Sequence, residues 1–226
     1  MSVLNLAAID SALRELQRVF PQINLSLLDR RDSLDDEVIL NMLEGYALVD
    51  RLISDRVDIF EIGHSSYWLK LNATVLCGMD PNKLSRHHQM LEATDVRFYE
   101  EPGAGIRYVM DWYSLNKGKD VWRRAAGVYS RILSDPQLFI EGNHRTGALI
   151  MSYLLAREGQ PPFVLTSKNA KGFFDPSSVV KKTKKRNIFG EIKFKRITRE
   201  FADFLEAHKN LDFLVTTRMH SKDLRF

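Results

Sequence analysis

The chain has little to staple it and nothing to anchor it. One cysteine, Cys77, stands in 226 residues, so no internal disulfide can close, and no Cys/His group has zinc-ligand spacing. Both absences point to a reducing, cytoplasmic setting. The longest stretch without a charged side chain, Thr146 to Ala156, is eleven residues, where a membrane helix needs about 20, so no membrane partner is expected. Asp10, Arg14 and Glu15 interrupt the first fifteen residues and leave no apolar core for a secretory signal. Seven Pro and twelve Gly are too few for a collagen-like or low-complexity chain, and there is no internal repeat. What is present, 44% hydrophobic and 27% charged residues, is the composition of one ordinary globular domain with an appendage. At this length such a domain buries roughly 70% of its unfolded surface without help from a metal or disulfide.

Charge is unevenly spread. The chain carries 33 basic and 29 acidic side chains for a net +4, yet residues 181–199 alone hold nine Lys or Arg against the single Glu191. The rest of the molecule is therefore net acidic. The run Lys181, Lys182, Lys184, Lys185, Arg186 attracts phosphate backbones in principle. No groove-reading motif accompanies it, so a solvated loop is the preferred reading and nucleic acid ranks below it.

Helical periodicity dominates elsewhere. Leu6, Ile9, Leu13 and Leu16 share one face; Ser33 followed by Asp35, Asp36 and Glu37 reads as the capped start of a helix through Val38, Met42, Val49 and Ile53. A third helix runs from about Ser66 to Gly78, with Pro81 beyond it. Ile106, Val109, Met110 and Tyr113, then Val121, Ala125, Val128 and Ile132, mark two more. The segment after Arg145 is apolar nearly all round and predicts a central buried helix. Asp175 before Pro176 predicts a helix start, residues 184–190 a loop, and Ile197, Phe201, Phe204 and Leu205 a late helix. Between residues 95 and 105, Val96 and Phe98 alternate with Arg97 and Tyr99 ahead of Pro102, Gly103 and Gly105, which predicts a β-hairpin. Trp68, Trp112 and Trp122 read as packing residues, and the adjacent His87 and His88 as surface groups.

Chemistry concentrates at residues 137–148, Gln-Leu-Phe-Ile-Glu-Gly-Asn-His-Arg-Thr-Gly-Ala. A polar turn, Glu141 to Thr146, delivers backbone N–H groups to the start of a buried helix, with an Arg beside them. Unsatisfied amides, helix dipole and guanidinium together favour an anion. A carboxylate there suits Mg²⁺ shared with substrate phosphates, and the combination suggests a nucleoside di- or triphosphate. The plainer alternative is a capping turn whose Arg pairs with Glu141.

This stretch resembles the signature of the Fic (Fido) family, His-Pro-Phe-x-Asp/Glu-Gly-Asn-Gly-Arg-x-x-Arg. Phe139, Glu141, Gly142, Asn143 and Arg145 match in place, and Thr146-Gly147 is a frequent filling. The resemblance covers about residues 36–170. It implies a mostly α Fic-type core with a short β-hairpin flap, preceded by a helical segment (1–35) and followed by a basic helical extension (171–226). It also implies transfer of AMP from ATP to a protein hydroxyl. Carried over, Glu141 would hold Mg²⁺; Gly142, Asn143 and Arg145, with Thr146 and Gly147, would bind nucleotide phosphates; and Phe139 would anchor the loop. The flap, with Arg97, Phe98 and Tyr99, would dock a segment of a target protein by strand addition.

Three positions depart from the signature. Gln137 replaces the catalytic His, and an amide cannot take a proton from an attacking hydroxyl. A positioned general base is worth about 10²–10⁴-fold, so ordinary AMP transfer is expected to be lost. Ala148 replaces the second Arg, which in the family holds the γ-phosphate, and His144 adds a ring where most members have Gly. Leu43-Glu44-Gly45 resembles the family's inhibitory helix motif, with Leu40 where its hydroxyl residue should stand and no Arg for Glu44 to engage; a solvated Glu44 is equally compatible. The leading expectation is a degenerate Fic-domain protein that keeps part of a Mg²⁺-ATP (or other nucleotide) site and acts by binding or regulation. The alternatives are a nucleotidyl- or phosphotransferase of altered mechanism, with His144 or a base from the target replacing the missing His, and a nucleic-acid module built on residues 181–199.

Overall fold

In the computed structural model, residues 2–185 and 188–215 are described, excepting the side chains of 188–193. Arg186, part of the basic run, lies outside them. The described residues form α-helices, one 3-10 turn and two isolated β-bridges, with no strand among them. The mostly α expectation is met.

Helix α1 (Leu6–Leu25) starts at Asn5, whose side chain accepts from the Ala8 amide, and buries Ile9, Leu13, Leu16 and Phe20. Helix α2 (Asp36–Ser54) is capped by Asp35, whose Oδ1 accepts from the Val38 amide at 2.8 Å. Ser33 therefore stands outside the cap. Asp36 and Glu37 do occupy the first turn, against the positive helix end. Helix α3 (Ser66–Cys77) stops at Gly78, and α4 (Pro81–Arg86) follows.

The hairpin expected over residues 95–105 does not form. Helix α5 (His88–Glu100) runs through Arg97, Phe98 and Tyr99, and only residues 101–105 turn, leading into α6 (Ile106–Leu115). Four alternating residues fit either period, and tertiary packing decides between them. Phe98 is fully buried and stacks on Phe139 with ring centroids 5.6 Å apart, one helical turn beyond buried Thr94. The Thr94 hydroxyl donates back to the Met90 carbonyl at 2.8 Å, which satisfies it inside the helix. Pro102 and Gly103 thus join two helices instead of two strands.

Helices α7 (Val121–Leu133) and α8 (Asn143–Arg157) form the centre, and α8 is buried all round from Thr146 to Ala156. They approach closely because Gly147 has no side chain; a Cβ there would come within 2.8 Å of the Tyr129 ring. Helices α2 and α3 pack against α8. Helix α9 (Ala170–Lys181) is N-capped at Asn169, six residues before the expected Asp175, and continues through Pro176. Buried Ala170, Phe173 and Phe174 hold its first turns, so packing overrides the proline signal. Helix α10 (Ile188–Ala207) packs on α7 and α9, and its buried Ile197, Phe201 and Leu205 match the expected late helix. One apolar cluster runs from Leu4 to Phe213, through all three expected divisions of the chain.

The first and last described segments meet. The Asn5 amide donates to the Phe213 carbonyl and the Val215 amide to that of Val3, each at 2.9 Å. No helix among the described residues is long and apolar enough to cross a membrane.

Candidate functional site

The link between α7 and α8 carries the signature residues, and its shape follows from three of them. Phe139 is fully buried against Phe98 and pins the loop to α5. Gly142 adopts φ +74°, a left-handed conformation that a side chain resists, and a Cβ there would also crowd Asn72 Nδ2 at 3.0 Å. Asn143 closes the turn with both ends of its amide. Its Oδ1 accepts from the Phe139 amide at 2.9 Å and its Nδ2 donates to the Phe139 carbonyl at 2.8 Å. Asn143 is thus bound into the loop itself.

No side chain caps α8, whose N-cap is Gly142. The Thr146 amide returns to the Gly142 carbonyl at 2.8 Å, closing the first turn. Behind it, buried Asn72 of α3 donates Nδ2 to the Glu141 carbonyl at 2.9 Å and to Thr146 Oγ1 at 3.0 Å. Its Oδ1 is buried without a partner among the described residues. The sequence reading missed Asn72. Its signal was there: a polar residue in helical register with Trp68 and Val75, both fully buried.

Arg145 is half-buried, and Nη1 donates to the Val75 carbonyl at 2.7 Å. Burial pulls its pKa below the ordinary value, while the charges of Asp32, Glu141 and Asp35 hold it up. Three carboxylates thus compete for the guanidinium an incoming anion would use. Glu141 is exposed and in no ion pair among the described residues. No group of three or more His, Cys, Asp or Glu able to hold a metal occurs among those residues. Glu141 alone could contribute to a cation also held by a ligand's phosphates.

His144 faces a different set of groups. Its Nε2 lies 3.2 Å from Arg31 Nη1, and its Nδ1 lies 3.0 Å from Tyr129 Oη. Arginine can only donate, so Nε2 accepts and the neutral ring carries its proton on Nδ1. That proton goes to Tyr129 Oη, Tyr129 donates to Ser177 Oγ at 2.9 Å, and Ser177 donates to the Phe173 carbonyl at 2.5 Å. From His144 onward each donor has an acceptor, whereas Arg31 Nε is buried without one among the described residues. Burial, then Arg31 and Lys181, push the His144 pKa down to about 3. Arg31 also donates Nη2 to the Phe174 carbonyl and to Ser178 Oγ. It escaped sequence reading because it precedes α2, 113 residues before its histidine partner.

Gln137 is partly exposed, and its carbonyl accepts from Arg97 Nε at 2.9 Å. Tyr99 is partly exposed, with its hydroxyl 3.0 Å from Ser65 Oγ. The expected flap residues therefore do neighbour the signature turn, as part of α5. Ala148 lines a small apolar cavity of about 70 Å³ with Met42, Tyr46 and Phe174. Glu44 is exposed and points elsewhere, since its Oε2 would lie 2.8 Å from a Cβ placed on Gly78.

The arrangement defines a helical protein with a rigid, glycine-started turn feeding its central helix. No protein-family model matches the chain, and the curated proteins compared with it give no match.

Proposed function

We propose that the turn at residues 141–147 is a remnant nucleotide-phosphate site in a degenerate Fic-type protein, which binds or regulates and no longer transfers AMP efficiently. The observation that carries this reading is the left-handed Gly142, locked by Asn143 onto buried Phe139 at the uncapped start of α8. A loop fixed in this way presents first-turn amides to an outside acceptor without reorganisation. Arg145 adds a cation, and Glu141 would hold Mg²⁺, which supplies charge neutralisation for bound phosphates. Asn143 serves by shaping the turn.

Loss of transfer rests on Gln137, which lacks a basic nitrogen. His144 does not replace it, because its only lone pair already accepts from Arg31. A target would have to bring its own base.

Calorimetry with Mg-ATP and Mg-ADP tests the site. Arg145→Ala is expected to weaken binding by about 1.5 to 3 kcal/mol, the contribution of a charge-assisted hydrogen bond. Absence of binding by the unaltered protein up to millimolar nucleotide rejects the proposal. Labelled ATP should give little transfer to any protein; strong labelling abolished by His144→Ala would instead make this an enzyme of altered mechanism.

A further inference from the structure

Helices α6, α7 and α10 enclose an open cleft of about 410 Å³, lined by Lys119, Arg123, Arg131, Lys195 and Arg199 together with Trp112 and Phe194, and by no carboxylate among the described side chains. Its floor is built. Trp112 lies against α7 where Gly127 leaves room, since a Cβ on Gly127 would fall 1.9 Å from the indole. The Arg131 guanidinium sits 4.1 Å from the Trp112 ring and 4.9 Å from that of Phe194, and Lys119 Nζ lies 6.0 Å from the indole. Stacking fixes Arg131 in place. Lys119, Arg123, Lys195 and Arg199 are exposed at the rim. Asp120, 3.2 Å from Arg123 Nε, is the nearby acid that offsets part of this charge.

We propose that this cleft binds the backbone of single-stranded nucleic acid. Cations on two helices and the loop before α7 are more than one phosphate engages. Half-buried Trp112, which carries the Arg131 guanidinium on its ring, adds aromatic surface of the kind against which single-stranded bases stack. A duplex is convex and is read by an element that enters its groove, whereas this site is concave. The cleft's charge is felt beyond it, where Lys185 Nζ and Arg131 flank the Tyr108 ring at 5.4 and 5.7 Å. Burial, then Arg97 and Arg131, pull the Lys185 pKa down to about 7. Of the described lining cations, only Lys195 and Arg199 come from residues 181–199; folding supplies the rest. The site is separate from the signature turn, so each proposal stands or falls alone.

The test is fluorescence anisotropy of a labelled oligothymidylate about 12 nucleotides long, read against salt concentration. Removing the four exposed cations together (Lys119→Ala, Arg123→Ala, Lys195→Ala, Arg199→Ala) should leave circular dichroism and thermal unfolding unchanged. Affinity should fall at least tenfold, and the slope of log affinity against log salt should flatten by up to about 3, at about 0.7 per lost phosphate contact. The proposal is overturned if the unaltered protein does not bind the oligonucleotide at low salt, if the fourfold variant binds as well, or if a duplex of equal length binds as tightly. Capture of phosphatidylserine vesicles without oligonucleotide binding would assign the cleft to a membrane surface and also overturn it.

Discussion

The side-chain amide of Asn143 is engaged at both ends by one residue, Phe139, in a buried loop. Asn143→Ala would leave a buried N–H and a buried C=O unpaired. At about 1 to 3 kcal/mol for each unmet group, a loss of about 2 to 6 kcal/mol is expected in urea unfolding. A loss below about 0.5 kcal/mol, within the range of ordinary surface substitutions, would mean that the turn holds without the clamp. The example marks what was legible at this scale. The residue types at the turn were readable, but their partners were not. Phe139 is buried at the base of the loop and Gly142 is left-handed within it, whereas Asn143 turns out to hold the loop and His144 to accept from a distant arginine.

At the scale of elements, most helices could be read because their buried faces repeat at helical spacing. Those misread have a local signal that packing overrides. Proline marked the start of α9, but buried residues on its N-terminal side extend it. Alternation over residues 96–99 suggested strands, but α5 needs only Thr94 and Phe98 on its inner face. Hydrogen exchange on the free protein should therefore protect the amides of 92–100 and leave that of Gly103, in the turn, fast. Phe98→Ala should cost about 3 to 5 kcal/mol, as for other buried phenylalanines. Fast exchange across 95–100 with a small loss would restore an open docking edge. A helix has its backbone groups paired internally, so this segment offers no ladder to an extended target; side chains such as Tyr99 would have to do the docking.

Across the whole molecule, the basic run that stood out in the sequence is dispersed by folding. Lys182 pairs with Asp29 at 3.0 Å, Arg196 with Glu200 at 3.7 Å, Lys195 and Arg199 enter the cleft, and Lys185 is buried. The solvated-loop reading fails at Lys185, whose Nζ donates to the carbonyls of Ala104 and Pro136 at 3.3 and 2.5 Å. Sequence shows how many charges a segment has, but not which of them lose water. The consequence is a stability profile with two windows. In both cases the folded pKa is lowered, so the unfolded chain binds the extra proton and stability rises with pH across the window. For His144 that window runs from about 3 to 6.5, and for Lys185 from about 7 to 10.5. Each group contributes at most about 1.4 kcal/mol per pH unit inside its window. His144→Gln keeps an acceptor for Arg31 and a donor for Tyr129 while removing the titration, so it should flatten the acid limb and leave the alkaline one. Lys185→Met should do the reverse. Urea unfolding across pH reads both slopes; parallel profiles for all three proteins would mean that neither group is held uncharged by its burial.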